Sequence, residues 1–163
     1  MTVARASLRS PWTHRRSRTV ELKNAASITD REGDRFFTAG HCLAEIVFDG
    51  SISGTEDPTP YRSNRWFAPA ERPGYRLPLP PARYRVTLHF AEVTIGHENT
   101  RVFDVEIEDR VVLERLDVYR EVGFAAAFKR SWEIEVRDGF LDITLVHRIE
   151  NPLLSGIEIE RLE

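Results

Sequence analysis

The sequence predicts an all-β fold, an antiparallel two-sheet β-sandwich of the jelly-roll type. Nine or ten short segments alternate apolar and polar residues, turn-forming residues separate them, and no stretch has the periodicity of a long helix. With 163 residues, 41% hydrophobic and 30% charged, the chain is long enough for one domain with a sizeable core.

The first eighteen residues differ from the rest in charge. They contain five arginines and no acid, which leaves 18 basic against 26 acidic side chains for the remainder. We expect a basic N-terminal tail over residues 1–18, disordered or loosely attached, and a sandwich domain over residues 19–163. An acidic body disfavours nucleic-acid binding, because that binding depends on cations placed against phosphates.

Membrane and redox signals are weak. No apolar run approaches the roughly 20 residues of a membrane helix, and no apolar stretch follows the arginines as it would in a secretion signal. We expect no membrane insertion, and either a cytoplasmic protein or a fragment of a longer exported one. Cys42 is the only cysteine, so it is expected to be a buried small residue without a disulfide.

In the first half of the chain, strands are predicted at residues 19–24 and 74–79. The prolines at the end of the second segment restrict it to a sheet edge. Residues 30–34 are predicted to form a turn with Phe36 and Phe37 packed behind it, and residues 43–48 fit either a strand or one helical turn. Residues 49–60 are predicted to be a long surface loop, after which residues 61–66 re-enter the body.

The clearest alternation begins at Tyr84 and continues to Phe90, which predicts a strand with one buried face and one face, including Thr87 and His89, toward water. Residues 103–107 form a second such strand. The polar loop at residues 94–100 joins the two strands, and functional groups often lie in such loops.

The last third reads as further short strands. Residues 110–113 are predicted to return as a hairpin partner, Leu116 to Tyr119 to form a brief strand, and residues 123–128 to form a loop or a helical turn. Residues 132–136 and 141–145 alternate on either side of Asp138-Gly139, which predicts a β-hairpin. Residues 156–159 form the final strand.

Catalytic and metal-binding patterns are weak. Asp104 and Glu106 share a strand face, as the two carboxylates of a sugar hydrolase could. That face carries further charges and is expected to be solvated, whereas an acid catalyst needs a carboxyl with a raised pKa. The five histidines lack metal-ligand spacing, and no phosphate loop or nucleophile motif occurs. We therefore expect no enzyme activity, metal or cofactor.

A carbohydrate-binding interpretation remains. Sugars present apolar faces edged with hydroxyls, so their sites combine aromatic rings with carboxylates or amides. Two segments offer such groups, and core packing or turn formation remains open as an alternative for each. The candidates are Tyr61, Arg65 and Trp66 beside the long loop, and Glu150 and Asn151 before the last strand.

Five motifs, in this order and spacing, resemble the malectin domain family over residues 19–162. The resemblance implies a jelly-roll-like sandwich of the galactose-binding-like type that binds carbohydrate by loops at one end, without catalysis or a cofactor. The motifs are the Tyr-x-x-x-Arg-aromatic segment at residues 61–66, Leu-His-Phe-Ala-Glu at 88–92, Arg-Val-Phe-Asp-Val at 101–105, Leu-Asp-Val-Tyr at 116–119, and Asn-Pro at 151–152 leading into Ile-Glu-Ile.

Carried across by position, the family's binding tyrosine is Tyr61 and its binding acid is Glu150. The two aromatic residues that follow Phe-Ala-Glu in the family correspond to Thr94 and Ile95, so the stacking surface is missing there. The family's Asn-Ala-Gly-Gly is Asn-Ala-Ala-Ser at residues 24–27, which implies a rearranged loop. Thr94 and His97 are expected to help shape the pocket.

Two functional hypotheses follow. The first is noncatalytic binding of a glucose-containing or related oligosaccharide by loops at one end of the sandwich. The alternative is a protein-interaction or structural domain that has lost its sugar site, including an accessory domain attached to the catalytic domain of a larger glycan-processing protein. The expected partner is accordingly an oligosaccharide, a protein or an attached catalytic domain.

Overall fold

The computed structural model describes the backbone of residues 45–162 and the side chains from residue 48 onward. The predictions for residues 19–24 and 30–34 and for Phe36, Phe37 and Cys42 lie outside the described residues. The strands are β1 (Glu45–Val47), β2 (Ser63–Trp66), β3 (Gly74–Pro78), β4 (Ala82–Phe90), β5 (Val102–Ile107), β6 (Arg110–Leu116), β7 (Phe128–Val136), β8 (Phe140–Ile149), β9 (Leu153–Leu154) and β10 (Gly156–Arg161). A 3-10 turn covers Thr59–Tyr61 and one α-helix, α1, covers Val118–Val122.

The strands form antiparallel sheets. One sheet has the order β10-β4-β7, the second β3-β8-β5-β6, and a small third sheet the order β1-β2-β9. The buried side chains of the two larger sheets share one core, in which Phe90 of β4 and Phe103 of β5 have ring centroids 6.1 Å apart. The predicted antiparallel β-sandwich is confirmed, with β3 at a sheet edge as its prolines require.

Strand β4 lies at the centre of its sheet, and its apolar face is buried as predicted from the alternation. The prediction that its other face is exposed is wrong at the C-terminal half of the strand. Thr87 is 7% and His89 is 5% exposed. His89 is covered because Tyr61, from the 3-10 turn, packs against its ring.

The predicted hairpin between residues 132–136 and 141–145 is wrong. The turn forms, with Gly139 at φ 93 and the Phe140 N–H donating to Asp138, but the two strands enter different sheets. β7 pairs along its length with β4, and β8 pairs with β3 and β5. β7 and β8 therefore cover the same core from opposite sides. Two strands paired in one hairpin would lie in the same sheet and could not do so.

The predicted strand from Leu116 to Tyr119 is also wrong. β6 extends to Leu116, and α1 begins immediately afterwards. Asp117 caps the helix, because its carboxylate accepts a hydrogen bond from the Arg120 N–H at 3.0 Å. Residues 123–127 form the turns and loop between α1 and β7.

The loop at residues 49–60 is less exposed to solvent than predicted. Ile52 is 8% exposed, and Ser53 forms a parallel bridge with Ala126. Immediately before this loop, residues 45–47 are a strand, which settles the choice between strand and helical turn in the described part of that segment.

Candidate functional site

The strand registers bring several connections to one end of the sandwich. Phe90 pairs with Phe128 and Val102 pairs with Ile149, so residues 91–101 lie between residues 117–127 and 149–155. Residues 48–62 join them through the bridge at Ser53. We call these four segments the loop end. The turns at residues 79–81, 108–109 and 137–139 lie at the opposite end, the turn end.

Glu92 is the centre of a buried network at the loop end. Glu92 is the second residue after β4, and it is 1% exposed. Its Oε1 accepts hydrogen bonds from the Thr94 N–H at 3.0 Å, the Thr94 hydroxyl at 2.8 Å and the Ile95 N–H at 3.0 Å. These bonds satisfy a buried charge and fix the start of the loop.

Arg101 extends this network to two other segments. Its Nε donates to Glu92 Oε2 at 2.8 Å, and one terminal nitrogen donates to the backbone carbonyl of Asn151. Its guanidinium carbon lies 5.6 Å from the centroid of the Trp66 ring. One arginine, 5% exposed, therefore holds together the loop after β4, the turn before β9 and the end of β2.

Tyr61 lies in a separate cluster and is 2% exposed. Its hydroxyl shares a hydrogen bond of 2.8 Å with His89 Nδ1, and Glu158 Oε2 lies 3.3 Å from the other ring nitrogen. Burial raises the pKa of Tyr61 to about 12, with a smaller contribution from Glu158. A stacking role for the Tyr61 ring stays a prediction, and it requires this cluster to open.

The pKa of His89 is lowered below its usual value by burial, although the nearby Glu158 carboxylate partly opposes this effect. The histidine is therefore held neutral next to the Tyr61 hydroxyl. This contact fixes the 3-10 turn against β4, at the base of the loop end.

The other predicted binding residues differ in position. Thr94, His97 and Glu150 are exposed, and Asn151 is half-buried. Glu150 has φ 57, and its carboxylate accepts a hydrogen bond from the Asn151 N–H at 3.1 Å. Arg65 is half-buried in β2. Arg101 also donates to the Thr94 hydroxyl at 3.3 Å, so it brings Trp66, Thr94 and Asn151 together, whereas Tyr61 belongs to the other cluster.

Asp104 is buried, which corrects the expectation that its strand face is solvated. It is 2% exposed and accepts hydrogen bonds from Arg148 Nε at 2.9 Å and from the Arg115 N–H at 2.8 Å. Burial raises its pKa, but the Arg148 and Arg115 hydrogen bonds together outweigh burial, so the pKa is lowered overall. Such a carboxylate stays ionised and is unsuited to donate a proton in glycoside hydrolysis.

Sequence reasoning did not select Glu92 and Arg101 as candidate site residues. Their signal was present, since an acid and an arginine flank the loop between β4 and β5. It could not be interpreted without the fold, because neither residue's burial follows from its local pattern.

Among residues 48–162, no three His, Cys, Asp or Glu side chains form a group able to hold a metal ion. The described helices include none with the length and apolarity that a membrane crossing requires.

Comparisons with known proteins agree with this architecture. The Malectin domain family model matches residues 15–157. Malectin from Homo sapiens is 32% identical over 92 residues, which are 56% of this chain and 31% of that protein. The chain thus aligns with about a third of the length of that relative.

Solved structures show the same fold. A β-glucuronidase from Bacteroides uniformis superposes with a TM-score of 0.66 at 23% identity, covering 78% of this chain and 14% of that one. A chain in the crystal structure of plant peptide RALF23 in complex with FER and LLG2 superposes with a TM-score of 0.68 at 18% identity, covering 80% of this chain and 42% of that one.

Proposed function

Since the chain belongs to the malectin domain family, we propose that it is a noncatalytic carbohydrate-binding module for a glucose-containing or related oligosaccharide. The ligand binds at the loop end. The observation that carries this proposal is the Glu150–Asn151 turn, which exposes a carboxylate and is tied to the buried Arg101 by the Asn151 carbonyl. A fixed carboxylate is a good acceptor for sugar hydroxyls.

The surrounding groups fit a polar sugar edge. The Thr94 hydroxyl donates to Glu92 and accepts from Arg101, which leaves one oxygen lone pair that can accept a sugar hydroxyl proton. His97, on the same loop, is exposed and can donate or accept. Trp66, at the end of β2, lies beneath these loops, with the Arg101 guanidinium carbon 5.6 Å from its ring centroid. Because the Glu92–Arg101 network orders these loops before binding, little conformational entropy is lost on association.

A noncatalytic role is supported by the state of the buried carboxylate on the β5 face. Asp104 has a lowered pKa because Arg148 and the Arg115 N–H compensate its burial. The acid of a glycoside hydrolase has the opposite shift.

A glycan array, followed by calorimetric titration of the strongest hits and of maltose and nigerose, tests the proposal. Glu150→Gln replaces a charged acceptor by a neutral amide of the same shape. Its affinity should fall roughly five- to tenfold, because hydrogen bonds to charged groups are about 1 kcal/mol stronger than neutral ones. Glu135→Gln, which changes an exposed carboxylate on β7 near the turn end, is the matched control and should leave affinity unchanged. Equal affinities for the two variants would contradict this site.

Tyr61 needs a separate variant, because its ring is buried. Tyr61→Leu retains apolar volume but removes the aromatic face and the hydrogen bond to His89. If the ring stacks on sugar after the cluster opens, affinity falls in a protein that remains folded. Unchanged affinity would leave Tyr61 as a core residue.

A second candidate function is binding of a protein or peptide. The plant structure named above is a complex with a peptide, and Val122 and Phe124 are exposed at the loop end of this chain. A related proposal is attachment to an enzyme, which the β-glucuronidase match supports because the matched region is 14% of that chain. No glycan binding by a demonstrably folded protein would favour this alternative.

A further inference from the structure

We infer that Phe124 is the aromatic surface on which a sugar ring stacks at the loop end, an inference that rests on the proposed function. Five large hydrophobic side chains are exposed among residues 48–162, and the two aromatic ones are Phe124, at 46%, and Phe140, at 37%. Phe140 belongs to the turn end, next to Gly139, and the Arg76 guanidinium carbon lies 4.4 Å from its ring centroid. Phe124 lies between α1 and β7, at the loop end.

The Phe124 ring is held from one side by Phe48. The two ring centroids are 5.9 Å apart and the planes are at 86°, which is a favourable edge-to-face geometry. Phe48 lies directly over Gly50, where an added Cβ would be 2.3 Å from the tip of the Phe48 ring. The Phe48 N–H donates to the Arg62 carbonyl at 2.6 Å. The Phe124 ring is thus exposed to solvent and held in place by its contact with Phe48.

The backbone that carries Phe124 is fixed to the centre of the site. The Ala125 N–H donates to the Glu92 carbonyl at 2.8 Å, and the Ser53 N–H donates to the Ala125 carbonyl at 2.9 Å. Ala125 has φ 51 and Gly123 has φ 85, so the chain reverses sharply on either side of the ring. An aromatic residue on such an ordered turn loses little entropy when a ligand stacks on it.

The polar residues near the ring favour a sugar over an apolar peptide side chain. Glu121 lies three residues before Phe124, and the Ser53 N–H donates to the carbonyl of Ala125, the next residue after Phe124. Both side chains are exposed and can bond hydroxyls at the edge of a sugar ring. Phe124 and its neighbour Val122 project from the surface. A hexopyranose, with a flat apolar face and a hydroxyl rim, matches an exposed ring with polar neighbours.

Calorimetric titration with maltose and nigerose tests this inference on four variants whose folding is checked by thermal denaturation. Phe124→Ala should weaken affinity roughly three- to tenfold. Phe124→Leu should weaken it nearly as much, since leucine has no flat face, whereas Phe124→Trp should retain it. Phe140→Ala is the matched control at the turn end and should bind as the unmodified protein does.

Each other outcome overturns a defined part of the account. If Phe124→Ala binds normally while Glu150→Gln is weakened, the stacking surface is elsewhere and the proposed function stands. If Phe124→Leu binds normally, the contact is apolar without stacking. If the folded, unmodified protein binds neither disaccharide, the stacking inference and the proposed glucose-saccharide function fall together.

Discussion

Glu92 and Arg101 are charged residues in a position where an isolated charge is costly. They are 1% and 5% exposed, and each is satisfied by several hydrogen bonds besides their mutual contact at 2.8 Å. Removal of one member of such a pair leaves the other buried and unpaired. The network therefore stabilises the loop end as well as ordering it.

Arg101→Met should lower the free energy of unfolding by about 3–5 kcal/mol, because it leaves the Glu92 carboxylate uncompensated. Combining it with Glu92→Gln removes that charge and should recover part of the loss. Urea denaturation measures both effects. The control is Arg83→Met, which breaks the exposed 2.8 Å contact with Glu133 and should cost less than about 1 kcal/mol. Equal losses for Arg101 and Arg83 would contradict the role of the buried network.

His89 predicts a pH dependence of stability. Its pKa in the folded protein is lowered by burial from the usual 6.5, and the groups nearest to it are Tyr61, Glu158 and Lys129. As pH falls below about 6.5, the unfolded chain takes up a proton that the folded protein does not, so the free energy of unfolding decreases. The decrease in the free energy of unfolding ends once the pH is below the pKa of His89 in the folded protein, because both states are then protonated.

Urea midpoints measured from pH 7.5 down to about 5.5 should therefore decrease for the unmodified protein. The decrease should be smaller for His89→Gln. His147→Gln, at an exposed histidine on β8, is the control and should retain the full decrease. The same pH slope in all three proteins would show that the buried histidine is not responsible.

At the scale of elements, the sequence predicted the strands better than their partners. The alternation in β4, β5, β7 and β8 located these strands, because each places its apolar residues on one face, even where the other face is also buried in β4 and β5. It did not show that β7 and β8 separate into two sheets, since a short turn is compatible with a hairpin and with a crossing between layers. The helix after Leu116 was missed because five residues are too few for a periodic signal, although Asp117 is a good capping residue.

Gly74 tests the observed pairing of β3 with β8. A Cβ at this position would lie 1.9 Å from the Ile143 carbonyl oxygen, so Gly74→Ala should force the edge strand away and cost roughly 3 kcal/mol of unfolding free energy. Gly96→Ala is the control, because nothing lies within 4 Å of its added Cβ. Thermal denaturation distinguishes them. Equal stability of the two variants would contradict the β3–β8 register.

For the molecule as a whole, function depends on which connections meet at one end. The resemblance of the motifs indicated the fold and several binding candidates, including Glu150 and Thr94. The sequence left open whether Tyr61 is buried, and it did not indicate that Phe124 would be exposed beside Phe48, because both follow from how distant segments pack. Local alternation carries no information about such contacts.

The most direct test of the central claim is chemical-shift mapping of the isotopically labelled protein during titration with nigerose and maltose. We predict that the perturbed amides will cluster at the loop end, around Thr94, Phe124 and Glu150. Saturable shifts at the turn end, around Asp138 and Phe140, or no shifts at all in the folded protein, would contradict the account.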